Sequence, residues 1–210
     1  MITSKSLYKA NIVFVFKEHT APPPENYEMA RLYIGDNAKG VQLVDDPMMR
    51  MKILDVPQRG LQIAWEAQRL RIDDMRAMEP EESSLVEDAV HAYESLAAPR
   101  KVMLDAIGLN LEVYYQTRDV IRAQDHFNEI SALPLLIGDS LLDFGWQWTV
   151  SEKSKKVTNG YFVKVTAPLE FVVHHNAHFA AKELPAKKDL QDLFLATYAK
   201  THAVAGNLKL

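Results

Sequence analysis

The feature that most constrains this chain is the alternation between Ile107 and Tyr115. Ile107, Leu109, Leu111, Val113 and Tyr115 take one parity, and Gly108, Asn110, Glu112 and Tyr114 take the other. A period of two over this length describes a long strand with one buried and one wet face. A second signal lies at Ile12–Phe16, a run of β-branched and aromatic residues that reads as a strand within Leu7–Lys17. Three consecutive prolines, Pro22–Pro24, cannot donate to a ladder and place a loop after it.

Further strands are expected at Ala30–Ile34, Val41–Val44 and Met48–Val56. Leu61, Ile63, Trp65 and Ala67 alternate with polar neighbours, then the phase moves to Leu70 and Ile72. A β-bulge or bend within one strand accounts for that shift. Phe144, Trp146, Trp148 and Val150 share one side of a strand over Leu142–Val150, whose hairpin partner is Tyr161–Val173. Asn159-Gly160 could close this hairpin in two residues. That register sets Lys155 against Lys164, so a longer loop that pairs Trp148 with Val163 is preferred.

Helical signals are fewer. Ser84 and Glu87 have capping-box spacing, and Val86, Ala89, Val90, Tyr93 and Ala97 form one apolar stripe ended by Pro99. A second helix is expected from Thr117, carrying Val120, Ala123, Phe127 and Ile130. A third spans Lys188–Ala203, with Leu190, Leu193, Phe194 and Thr197 inward and Gly206 as its stop. The expected class is α+β: a mainly antiparallel sheet with about three helices on one side, two similar halves being an open alternative. Residues 1–210 read as one compact domain, with the acidic stretch near 73–100 as the one weak subdivision.

Composition narrows the chemistry. Without cysteine there is no disulfide, thiolate nucleophile or Cys-based metal site among the 210 residues. A net charge of -4 reads against a nucleic-acid partner. The N-terminus does not read as a signal peptide, no run is long enough to span a membrane, and the expected location is the cytoplasm. Phosphate-loop, dinucleotide, nucleophile-elbow and H-E-x-x-H motifs are all absent.

The richest chemical cluster is Glu170 with His174, His175 and His178, a donor set able to hold zinc. On a strand His174 and His175 point to opposite faces, which argues against shared ligation. Trp65, Trp146 and Trp148 could line an aromatic ligand pocket, although core packing explains them more simply. Eight acids against one base between Asp73 and Glu94 read as a solvated helix start, and Lys153, Lys155 and Lys156 as a solubilising loop. The leading expectation is a non-enzymatic protein-interaction or assembly module that self-associates, with no cofactor, no nucleic acid and no membrane. The alternatives are a metal-dependent hydrolase using the histidine cluster and a small-ligand module using the tryptophans.

Overall fold

A computed structural model describes residues 1–17, 23–33, 40–76, 78–121, 144–152 and 156–208. Its elements are β1 (Ile2–Phe16), α1 (Asn26–Arg31), β2 (Gln42–Asp46), β3 (Met51–Val56), β4 (Leu61–Glu66), β5 (Arg69–Asp74) and α2 (Leu85–Ala92), then β6 (Leu104–Thr117), β7 (Phe144–Glu152), β8 (Val157–Ala167), β9 (Glu170–Ala180) and α3 (Lys187–Asn207). The strands form one antiparallel sheet of nine, in the order β2-β3-β4-β5-β1-β6-β9-β8-β7.

Alternation within each strand becomes a row across the sheet once the registers are set. Leu54, Ile63, Ile72, Ile12, Leu109 and Ala177 are cross-strand neighbours in that order, and each is fully buried. Neighbours in register share a face. Phe14 and Trp65 belong to the same face, and α2 and α3 pack on it. The Phe14 ring lies 4.9 Å from Tyr93, just beyond α2, while His202 of α3 meets Tyr115 edge-on at 5.6 Å. The alternation expected between Ile107 and Tyr115 is present in β6, with its odd-numbered side chains inward.

Several expectations are corrected. The stretch beginning at Ala30 continues a helix rather than a strand. The Glu25 backbone N–H donates to Glu28 Oε2 at 2.6 Å, which closes the first turn, and Met29 is the buried anchor. Strand β3 starts at Met51, because the Asp46 carboxylate accepts the N–H groups of Met48 and Met49, both at 3.0 Å, and turns the chain. The phase shift after Trp65 is a chain reversal, not a bulge: Glu66 pairs with Arg69 across a two-residue turn. Asn159 and Gly160 lie inside β8, and Trp148 pairs with Tyr161 while Trp146 pairs with Val163.

The helices differ in detail too. Ser84 Oγ donates to Asp88 Oδ2 at 2.8 Å, and the Leu85 N–H donates to Ser83 Oγ at 3.1 Å, so the Ser84–Glu87 box is not made. After Ala92 the backbone widens into a π-turn over Tyr93–Ala97 and tightens into a 3₁₀ turn over Ala98–Arg100. Pro99 sits in that last turn, where a missing N–H does least harm. Helix α3 passes through Gly206 to Asn207. The helix expected from Thr117 falls outside the described residues beyond Ile121; Thr117 itself ends β6, and Val120 is exposed.

Candidate functional site

Moving one residue along each strand from the apolar row exposes its counterpart on the other face. Gln42, Asp55, Gln62, Asp73, Asn11, Asn110, Asn176, Gly160 and Thr149 are successive cross-strand neighbours over all nine strands. This row is polar throughout, apart from the bare Gly160. Its members bond along the row: Gln62 Nε2 donates to Asp55 Oδ1 at 2.7 Å, Asn11 Nδ2 to Asp73 Oδ1 at 3.1 Å, and Asn110 Nδ2 to Asn11 Oδ1 at 2.6 Å. The antiparallel β1–β6 pair places Asn11 directly opposite Asn110.

The row crosses a concavity of about 550 Å³ on the face opposite α2 and α3. Beside it runs a second row of Lys9, Glu112, His174, Phe162 and Gln147. Polar groups here are partnered locally. Glu112 Oε2 lies 3.2 Å from His174 Nδ1, and buried Asp73 accepts from Arg71 Nε at 2.8 Å with Lys9 Nζ at 3.6 Å. The Phe162 ring is 37% exposed and tilts against the His174 imidazole at 5.5 Å. Asn176 is exposed and its side chain has no hydrogen-bond partner among the described residues.

The four candidate metal ligands do not meet. Glu170, His174 and His178 lie on the open face of β9. His174 and His178 are four residues apart on a strand that rises about 3.4 Å per residue, well beyond shared ligation. His175 points through the sheet to the helix side. Among the described residues, no group of three or more His, Cys, Asp or Glu is placed to hold a metal.

His175 instead organises a buried network under α3. Its Nδ1 faces Thr201 Oγ1 at 2.8 Å and its Nε2 faces Asn159 Oδ1 at 3.0 Å. Asn159 Nδ2 donates to Glu152 Oε1 at 3.0 Å, and Glu152 also holds Lys200. Burial, helped by the Lys200 charge, lowers the His175 pKa to about 4, so the ring is neutral at pH 7. Hydroxyl, imidazole and amide thus stand in the order of a nucleophile, its base and an orienting group. The hydroxyl cannot act as one: Thr201 is fully buried and its Oγ1 also bonds the Thr197 carbonyl oxygen at 2.9 Å. No substrate reaches it.

The tryptophans separate as well. Trp65 is buried under the α2 side, 5.5 Å from the Phe16 ring with the Arg100 guanidinium 5.7 Å above it. Trp146 and Trp148 lie six strands away on the same helix-covered face and are half-buried. Trp148, Tyr161 and His175 form a near-parallel stack across β7, β8 and β9, at 5.3 and 4.3 Å. The Tyr161 hydroxyl has no partner among the described residues, and burial and the Glu152 charge push its pKa up to about 12.

Sequence reasoning missed a second cluster. His202 faces the Tyr115 hydroxyl through Nδ1 and Lys5 Nζ, at 2.9 Å, through Nε2, while the Tyr198 hydroxyl donates to Glu79. Burial and then Lys5 depress the His202 pKa. Nothing local in the sequence announces this cluster, since Lys5 lies 197 positions from His202.

No protein-family profile matches the sequence, and no curated protein matches it. Among solved structures, the chain is similar to one titled "Methanococcus jannaschii TBP", a TATA-binding protein. Identity is 7%, the alignment covers 94% of this chain and 99% of that one, and the TM-score is 0.42. The exclusion of a nucleic-acid partner from net charge is corrected here: the neighbour belongs to a nucleic-acid-binding fold, so a charge of -4 is withdrawn as grounds for exclusion. At this level the similarity carries no argument about what this chain binds.

Proposed function

We propose that this protein is a non-enzymatic interaction module that binds through the open face of its sheet. The observation that carries this reading is the polar row from Gln42 to Thr149, interrupted at Gly160 alone, with the concavity around Asn110 and Asn176 beside it. A sheet face left to water needs only scattered polar residues. Here amides and acids line up in register on seven neighbouring strands, several bonded to one another and others open to a ligand. Among the described residues, the nucleophile-like constellation of Thr201, His175 and Asn159 is sealed in the core, which favours binding over turnover.

The same reading takes residues 1–210 as one domain with the described helices α1, α2 and α3 in a single layer behind the binding face. It also takes the chain as two similar halves meeting between Asn11 and Asn110, with the cytoplasm as its location. Among the described residues, no helix is long and apolar enough to cross a membrane.

Site-specific photo-crosslinking in cells tests this reading. A photoreactive residue at position 176 or 149 is expected to trap adducts, while one at exposed Asp192 on α3 traps none. Equal trapping from α3, or none from the sheet face, overturns it.

A further inference from the structure

We propose, resting on that reading of the open face, that its ligand is a neutral saccharide chain laid across the strands along the Asn110–Asn176–Thr149 row. Three properties of the face lead there. First, carboxylates beside the concavity already have partners. Glu112 lies against the His174 ring and Asp73 accepts from Arg71, which favours a ligand held by shape and hydrogen bonds over a cation. Second, the central groups are amides, each of which both donates and accepts. A hydroxyl also does both, so a polyhydroxylated ligand can satisfy neighbouring amides without an exact donor pattern. Asn110 and Asn176 repeat at the strand spacing of about 4.8 Å, which gives an extended ligand one polar contact on each of those strands, while buried Asn11, bonded to Asp73 and Asn110, holds the Asn110 amide in place.

Third, the face combines those amides with an aromatic plane and a notch. The half-exposed Phe162 ring stands one row away, able to take the C–H face of a sugar ring. Gly160 supplies the notch. A Cβ added there would meet only the Asn176 carbonyl oxygen, at 3.8 Å, so its missing side chain leaves open floor between Asn176 and Thr149.

Native electrophoresis of the full chain through gels containing single neutral polysaccharides tests the assignment. The probes are mixed-linkage β-glucan, xyloglucan, galactomannan, glycogen and dextran, with a single-stranded oligodeoxynucleotide in a parallel mobility assay. At least one polysaccharide is expected to retard the protein, with little change when salt is raised. Asn176→Ala, Phe162→Ala and Gly160→Val are each expected to weaken that retardation about tenfold or more, the loss of one good contact. Their thermal midpoints are measured alongside, and those of Asn176→Ala and Phe162→Ala stay at the wild-type value.

Retardation by none of the five polysaccharides overturns the proposal, as does retardation that survives all three substitutions. Binding of the oligonucleotide alone, falling steeply with salt, also overturns it. Crosslinks from position 176 that persist without polysaccharide binding would keep the open face as the binding surface and remove the saccharide from it.

Discussion

Replacing His175 with glutamine removes the titrating ring from the network under α3 and keeps an amide in its place. In the native chain this ring titrates near 4, held down first by burial and then by Lys200. In the unfolded chain a histidine titrates near 6.5. Between these values the folded state holds fewer protons than the unfolded one, so its stability falls as pH falls. The contribution is fully present above pH 6.5 and is lost on the way down to about 4. Integrating a shift of this size gives a loss of about 2–3 kcal/mol by pH 4.5. Other groups titrate over the same range, so the informative quantity is a difference of differences. Urea unfolding of the native protein and of His175→Gln, at pH 7.5 and 4.5, supplies it. The variant is expected to be the less stable at pH 7.5, since the ring's stacking on Tyr161 and its bond to Thr201 are weakened. The gap should shrink by about 2–3 kcal/mol at pH 4.5. A gap unchanged between the two pH values would refute the claim that a buried neutral imidazole joins α3 to the sheet.

Other outcomes follow from the packing. Trp65→Ala, at a buried site between Phe16 and Arg100, should cost about 3–5 kcal/mol in urea unfolding; a loss under 1 kcal/mol would mean the site collapses or is not packed as described. In Gly145→Ala the new Cβ would lie 2.7 Å from the Val163 carbonyl oxygen, so the β7–β8 pair must shift. A fall in thermal midpoint equivalent to about 1–3 kcal/mol is expected, with altered tryptophan fluorescence. Asn176→Ala should leave stability within about 0.5 kcal/mol, because the side chain is exposed and makes no protein hydrogen bond among the described residues. Chelator treatment should leave the unfolding midpoint unmoved, as Glu170, His174, His175 and His178 do not converge; a chelator-sensitive midpoint with stoichiometric zinc would restore a metal centre.

What was legible in the sequence was local. The alternation from Ile107 to Tyr115, the apolar run Ile12–Phe16 and the inward stripe of α3 all follow from a side-chain period of two or 3.6, which a single segment displays by itself. The opposite orientation of His174 and His175 was legible for the same reason. Where local signals were ambiguous, the error was one of interpretation. A change of phase after Trp65 is produced equally by a bulge and by a tight reversal, and only the pairing of Glu66 with Arg69 separates them. Likewise Asn159-Gly160 has turn chemistry, yet it lies within β8 because Asn159 bonds both His175 and Glu152 there.

The candidate site belongs to the tertiary structure. Each member of the polar row is an unremarkable residue on the wet side of its own strand, and the row exists only through eight separate strand registers. Asn11 meets Asn110 across 99 positions, and His175 meets Thr201 across an intervening turn and half a helix. Periodicity determines which way a side chain faces, since that is a property of adjacent backbone units. Which side chains become neighbours depends on pairing between distant strands, and that is set by the summed burial of the whole core rather than by any segment of the chain.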